Sequence, residues 1–529
     1  NLGKIYHMGK SEPAALILNR QALTAHTFIT GSTGSGKSNT VYELLRQLDA
    51  GGVNFMVIEP AKGEYKNVFG DREDVHVFGT NPKITKLLHI NPFRFPEEIH
   101  VLEHIDRLIE IFSVCWPMYA AMPAVLKNAM LQAYEVCGWN LETSENEYNK
   151  NLFPTFQDLL TELVDVIEHS AYDKEVKNNY RGSLETRVRS LANGLNGQIF
   201  SADEIPEKQL FDENTIVDLS RVGSLESKSL IMGILIMRLN EYRMTSCTEM
   251  NNPLKHVTVL EEAHNILRRT SMEQTEEGSN VAGKSVEMIA NAIAEMRTYG
   301  EGFVIADQSP GAVDISAIRN TNTKIIMRLP DEQDRQLAGK AAALKDDQLD
   351  EIARLPKGVA VIYQNNWTEP VLCKINKFEG EEKRYQYKTC ATDRKAEMMS
   401  AILLRNLLKK EKGEPLDLNL RQLQDLLLKV SMPSKTKIAA LKALQKNGRC
   451  RQKDIQSVVY KLVCTPKVEE ELTHTESIEE WRDEIAYFGS TGLADLDEEM
   501  LNEVAELILL EQIKRYDWPK TYLEQWQEF

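Results

Sequence analysis

Short apolar runs alternate along the chain with stretches whose apolar positions recur every three or four residues, and this alternation predicts strands separated by helices. Residues 27–30 read as a short strand and residues 38–48 as the amphipathic helix that follows it. Apolar runs at 53–58, 75–78, 215–220, 256–260, 302–306 and 324–329 have the make-up of strands buried on both faces. Residues 230–242 read as a buried helix, and a hairpin-like pair at 359–363 and 371–375 closes the series. Such alternation builds βαβ units, so the expected fold class is α/β with a mainly parallel sheet.

Two regions depart from this pattern. From Pro96 to about Gly197 helical periods dominate, which predicts a helical insertion over 96–197 within a core formed by 1–95 and 198–385. Beyond Cys390 no strand pattern is found, so a boundary is expected between Lys383 and Arg394, followed by an all-α C-terminal region over 386–529. Residues 1–25 are short of periodicity and are expected to lead into the first core strand. No apolar run is long enough for a membrane span, and no membrane partner is expected.

Composition narrows the function classes. The net charge of −16 argues against a protein that simply coats nucleic acid, because its averaged field repels a polyanion. Residues 394–467 are nevertheless basic, with Lys409, Lys410, Lys435, Lys437, Lys442, Lys446, Arg449, Arg451 and Lys453, and the balance turns acidic beyond Val468. This asymmetry suits either a nucleic-acid surface or ordinary solvated helix faces. Trp481, Trp518 and Trp526 imply that the acidic part packs against something. The seven cysteines show no C-x-x-C spacing, which fits neither a zinc site nor a disulfide framework and points to a reducing, cytoplasmic setting.

The chemistry centres on residues 31–38, Gly-Ser-Thr-Gly-Ser-Gly-Lys-Ser, a complete phosphate-binding loop between strand and helix. Backbone N–H groups must wrap a nucleotide's phosphates, and glycine at Gly31, Gly34 and Gly36 permits that approach without Cβ clashes. Ser32, Thr33, Ser35 and Asn39 complete the expected cradle. Lys37 is expected on the β- and γ-phosphates and Ser38 on Mg²⁺, making ATP and Mg²⁺ the cofactors. Hydrolysis further needs carboxylates near the metal and the attacking water. Glu261 and Glu262 end a predicted strand, so their side chains are expected to point opposite ways, Glu261 toward the metal and Glu262 as the general base. Gln308, just past the next strand, can contact both the γ-phosphate and the water. An arginine must also meet the charge on the transferring phosphoryl group, and Arg297, Arg319 and Arg328 are the candidates.

Four segments together carry a family resemblance: 31–38, Val259-Leu-Glu-Glu-Ala-His-Asn265, Arg297-Thr-Tyr-Gly300 and Phe303-Val-Ile-Ala-Asp-Gln-Ser-Pro310. With Ile58-Glu-Pro-Ala-Lys-Gly-Glu-Tyr65, they resemble the HerA branch of the HerA/FtsK superfamily of hexameric DNA-translocating ATPases, over roughly residues 3–375. The resemblance implies a RecA-like P-loop NTPase core, a homohexameric ring, double-stranded DNA as substrate, and Arg297 acting in trans on a neighbouring subunit's nucleotide. It also implies a nuclease or other effector as partner, in DNA-end processing or defence against phage. Two departures stand out: Glu261 replaces the family's usual Asp, and the small β-barrel that family members carry ahead of the loop is expected upstream of Asn1 or not at all. The rival reading is an oligomeric scaffold whose ATP site assembles a partner effector without translocation. A small-molecule kinase is disfavoured, because nothing in the sequence suggests an acceptor pocket.

Overall fold

The computed structural model describes residues 1–119, 121–270, 281–387, 395–464, 466–475, 477–492, 496–516, 522 and 525–526. Cys390, Arg394 and Trp518 lie outside the described residues. The strands are β1 (Gly3–His7), β2 (Lys10–Leu16), β3 (Thr27–Thr30), β4 (Asn54–Glu59), β5 (Val75–Gly79), β6 (Lys86–Leu87), β7 (Trp139–Asn140), β8 (Glu145–Asn146), β9 (Asn214–Asp218), β10 (His256–Glu261), β11 (Glu301–Asp307), β12 (Thr323–Ile326), β13 (Val359–Gln364) and β14 (Val371–Ile375). Twelve of them form one sheet in the order β2-β1-β14-β13-β12-β3-β11-β10-β4-β9-β5-β6. From β12 across to β6 all pairings are parallel, whereas β12–β13, β13–β14, β14–β1 and β1–β2 are antiparallel. The α/β class read from the sequence is therefore the fold found.

The amino-terminal residues differ from expectation. They form the β1–β2 hairpin on the antiparallel edge instead of a plain lead-in. β2 carries no alternation to read because it is an edge strand with all residues but Leu16 exposed, and Pro13 sits within it, as edge strands allow. Its partner is fitted closely to the sheet: a Cβ on Gly3 would lie 2.2 Å from the Lys374 carbonyl oxygen.

Two compact units make up the chain. The first contains Asn1–Leu88, Phe95–Lys127 and Ile205–Tyr387, and the second His89–Arg94, Asn128–Glu204 and Lys388–Phe529. The stretch expected as one insertion over 96–197 is thus divided. Its first helix, Val101–Cys115, is a cover for the sheet unit, because its apolar face packs on helices Leu225–Ser246 and Val281–Glu295. Ile111 meets Gly233 so closely that a Cβ there would lie 2.7 Å away. In the same layer His104 pairs with Glu241 at 2.9 Å, both fully buried.

The remainder of that stretch folds with the C-terminal helices in the second unit. Asp158, at the start of helix Phe156–His169, accepts hydrogen bonds from Ser434 N at 2.7 Å and Ser434 Oγ at 2.8 Å. Sequence periodicity cannot show such a join, since it spans some hundreds of residues. The basic residues here serve structure in the main: Lys409 pairs with Asp417, Lys435 with Glu162, and both Lys446 and Arg451 with Asp454, while Lys437 is buried. Solvated, internally paired helix faces therefore describe this region better than a nucleic-acid surface. Trp481 is fully buried, donates from Nε1 to Gln512 Oε1 at 3.1 Å and packs edge-on against Trp526. No helix among the described residues is long and apolar enough to cross a membrane.

At the amino edge of the sheet Glu301, fully buried, accepts from His256, Arg243 Nε at 2.9 Å and Thr258 Oγ1 at 2.7 Å. Burial alone would raise its pKa, yet His256 and Arg243 hold it down to about 2. A carboxylate depressed in this way contributes stability that is present above its ordinary value of 4.5 and is lost as pH falls toward about 2. Replacing Glu301 with Ala removes the carboxylate that Arg243 Nε, His256 and Thr258 share but leaves Arg243 its Asp212 and Phe211 partners, and is expected to cost about 1–3 kcal/mol, measured by denaturant unfolding at neutral pH.

Candidate functional site

The phosphate-binding loop leads from β3 into helix α1 (Lys37–Ala50) at the carboxyl edge of the sheet. Its glycines answer to two different constraints. Gly34 and Gly36 adopt φ of +78° and +112°, which side chains rarely tolerate. Gly31 has no such φ but no room either, since a Cβ would lie 2.6 Å from Ser35 Oγ and 2.7 Å from Met327 Cβ. Packing against Met327, rather than clearance for phosphate, is what requires glycine there. No side chain caps α1, so its first N–H groups are left for an anion. Ser32 Oγ is likewise buried without a hydrogen-bond partner among the described residues. A cavity of about 310 Å³ opens here, lined by Gly31, Ser32, Thr33, Gly34, Gly36, Lys37, Ser38 and Asn39 together with Lys62, Glu64, Gln308 and Lys357.

Parallel strands deliver a row of acids to this edge. Asp307 on β11 lies level with Thr30 on β3, Glu261 on β10 with Ala306, and Glu59 on β4 with Asp218 on β9. Lys37 Nζ reaches into the row, 3.4 Å from Glu261 Oε2 and 3.3 Å from Glu262 Oε1. Burial opposes its charge, but Glu261, Glu262 and Asp307 outweigh that and raise its pKa above the ordinary lysine value. At β9 a second ion pair stands in the row, with Lys66 Nζ 2.5 Å from Asp218 Oδ2.

Both glutamates face Lys37, which corrects the expectation that they diverge. Alternation holds only while the chain stays extended, and Glu262 has left β10 with left-handed backbone at φ 46° and ψ 54°. That turn brings its carboxylate beside Gln308, whose Nε2 donates to Glu262 Oε1 at 2.7 Å. Gln308 Oε1 in turn accepts from Thr33 Oγ1 at 2.8 Å, joining the loop to the acid. Tyr65 OH donates to Glu261 Oε1 at 2.5 Å. Sequence reasoning missed Tyr65 in this role, although it stands in the quoted 58–65 segment.

Asp307 and His264 were also missed, though each neighbours a named residue. His264 donates its backbone N–H to Asp307 Oδ2 at 2.9 Å, and its ring Nδ1 lies 2.9 Å from the same oxygen. That hydrogen bond raises the pKa of His264 against partial burial, helped by the charges of Asp307 and Glu262. Glu262, His264 and Asp307 offer ligand atoms within 4.8 Å of one another. Of the donors expected for Mg²⁺, Ser38 lines the cavity and Glu261 stands beside Lys37.

Two expected residues are placed differently. Asn39 lines the cavity, but its side chain is spent on the chain after β14: Nδ2 donates to Asn376 O and Oδ1 accepts from Phe378 N, each at 2.9 Å. Arg297 is exposed in the short helical turn Met296–Tyr299 ahead of β11, at the amino edge. Since β11 spans roughly 20 Å, the side chain does not reach the loop of its own subunit. Arg319 also precedes its strand, while Arg328 follows β12 and its carbonyl accepts Ser32 N at 2.9 Å.

Residues 1–239 match the family model described as helicase HerA, central domain. The chain is 24% identical over 364 residues to the DNA double-strand break repair helicase HerA of Sulfurisphaera tokodaii, covering 68% of this chain and 66% of that helicase. It therefore spans just under two thirds of that relative's length. The helicase of the same description from Sulfolobus acidocaldarius is 24% identical over 385 residues, covering 72% and 70% of the two chains. Among solved structures, VirB4 of Thermoanaerobacter pseudethanolicus superposes with a TM-score of 0.52 at 18% identity, covering 72% of this chain and 96% of that one, a likeness of fold.

Glu59 yields a pH prediction. Burial pushes its pKa up to about 8, opposed by the N–H groups of Glu64 and Tyr65 that it accepts, and reinforced by Asp218 and Glu261. Because the folded state holds this proton more tightly, the associated stability is complete below the ordinary value of 4.5 and is lost as pH rises through about 8. Glu59→Gln is expected to flatten that decline, read as the melting temperature against pH.

Proposed function

We propose that this chain, whose residues 1–239 belong to the HerA branch of the HerA/FtsK superfamily, is an ATP-hydrolysing ring that moves double-stranded DNA. The observation that carries the reading is the meeting of Lys37, Glu261, Glu262 and Gln308 within hydrogen-bond reach at the phosphate loop. Three segments distant in sequence converge there on the parts that phosphoryl transfer to water requires.

When bound, Mg²⁺-ATP would supply the phosphoryl group and a metal to polarise it. Ser38 and Glu261 would hold that metal, Lys37 would turn from its carboxylates to the phosphates, and Glu262, so released, would take the proton of the attacking water. Gln308 orients that water from its position between Thr33 and Glu262. Arg297 serves the nucleotide of the next subunit, since it stands at the far edge of its own sheet. That geometry supports a ring, which we take to be a homohexamer working in the cytoplasm with a nuclease or another effector in DNA-end processing or defence against phage. An acidic chain can grip DNA in this way, because only the channel lining need be basic.

One observation favours a second reading. The helical unit built from Asn128–Glu204 and Lys388–Phe529 has its own apolar core and leaves the nucleotide site to the other unit. This is the organisation of a scaffold that binds an effector under ATP control. Steady-state ATP hydrolysis with and without linear double-stranded DNA, on protein of known solution mass, separates the two. Several-fold stimulation on a ring-sized species is expected; slow turnover indifferent to DNA favours the scaffold.

Three variants test the assigned roles. Lys37→Ala is expected to abolish turnover and ATP binding. Glu262→Gln should retain ATP binding and lose about 10²- to 10⁴-fold in kcat. Arg297→Ala should bind ATP yet lose about 10³-fold or more in turnover. Mixing it with Lys37→Ala subunits should restore part of that activity; if no mixture turns over, action in trans is wrong.

A further inference from the structure

Three lysines line the nucleotide cavity, and they are not equivalent. Lys37 is bound to Glu261 and Glu262, and Lys62 lies 3.8 Å from Glu64. Lys357 has no ion-pair partner among the described residues, in a chain with a net charge of −16. Lys357 is an exposed residue that lines the cavity without such a pair, and its backbone is what sets it apart from an ordinary surface lysine.

Pro356 to Val359 form a tight turn closed by Val359 N donating to Pro356 O at 3.0 Å, with Gly358 at φ +75°. This is the geometry of a type II turn, which needs glycine in its third position and displays the residue before it. The turn is fastened to the phosphate loop itself: Gly358 N donates to Ser35 O at 2.8 Å, and a Cβ on Gly36 would lie 3.4 Å from Gly358 Cα. From behind, Ile375 N donates to Gly358 O at 2.9 Å and Lys374 Nζ to Lys357 O at 2.5 Å. Five residues of backbone and side chain thus fix the base of Lys357 against the cradle, and its ammonium is the one free part.

We propose that Lys357 is a phosphate-contacting residue acting within its own subunit, which binds the terminal phosphate of ATP opposite Lys37. The assignment rests on the ATP reading above. A cation whose backbone is already fixed beside the phosphate cradle has only its side chain to order when it meets charge there. It divides the work with Arg297: Lys357 meets the γ-phosphate from the same subunit, and Arg297 completes the charge from the next. ADP lacks the group that Lys357 recognises, so this residue also sets the preference for ATP over ADP.

The test compares equilibrium affinities for a non-hydrolysable ATP analogue and for ADP, with Mg²⁺, in the full-length wild type, Lys357→Ala and Lys357→Arg. Lys357→Ala is expected to weaken the ATP analogue roughly 10- to 100-fold, as loss of a charge-assisted hydrogen bond does, while leaving ADP within about threefold and the melting temperature of the nucleotide-free protein unchanged. Lys357→Arg should restore most of the difference. Unchanged affinity for the analogue, or equal weakening of analogue and ADP, overturns the assignment. A wild-type protein that binds neither nucleotide removes the ATP reading itself, and that result is distinct from a wild type that binds both with a variant that matches it.

Discussion

One buried ammonium, that of Lys37, holds the carboxyl edge of the sheet together. Glu261 and Glu262 approach it at 3.4 and 3.3 Å, and Asp307 adds to the field that keeps it charged. Carboxylates brought this close repel one another and resist desolvation, so a site that gathers them needs either a cation or a proton. Both solutions occur here. Lys37 balances Glu261 and Glu262, Lys66 balances Asp218, and Glu59, with no ion-pair partner among the described residues, has its pKa pushed up to about 8 by burial. The lysine of the phosphate loop is therefore a counter-ion to the carboxylates of this edge, and the proposed nucleotide binding would exchange one set of oxygens for another.

Strand register turns this local balance into a site. Parallel pairing aligns the carboxyl ends of β3, β11, β10, β4 and β9, so the residue that ends each strand reaches the same edge. The opposite edge has its own buried network, Arg243 and His256 on Glu301, which anchors helix Leu225–Ser246 to the strands. Arg297 lies on that side, separated from its own loop by the length of β11. The acids and Lys37 thus stand at one edge of the sheet and Arg297 at the other.

The legible parts of the site share one property, that their geometry is local. The phosphate loop is specified by glycines and a lysine within eight consecutive residues between strand and helix. Glu261 and Gln308 could be named because the end of an apolar run marks the end of a strand. Glu262 shows the limit of such reasoning. Its residue type was readable but its direction was not, because the alternation rule fails at the single left-handed residue where β10 ends. Asn39 lines the cavity as expected, but the sequence did not show what its side chain bonds, because its partners, Asn376 and Phe378, lie more than 330 residues away.

The amino-acid sequence by itself determined the α/β class, nine of the twelve strands of the sheet, the phosphate loop and the acids Glu261 and Glu262, because each depends on periodicity or spacing within a few residues. Tertiary structure alone decided that residues 128–204 join the C-terminal helices, that residues 3–16 extend the sheet as a hairpin, and that Tyr65, Asp307, His264 and Lys357 stand at the site. These depend on which distant segments pack together. Burial energy and hydrogen-bond satisfaction over the whole chain settle that, and no local pattern encodes it.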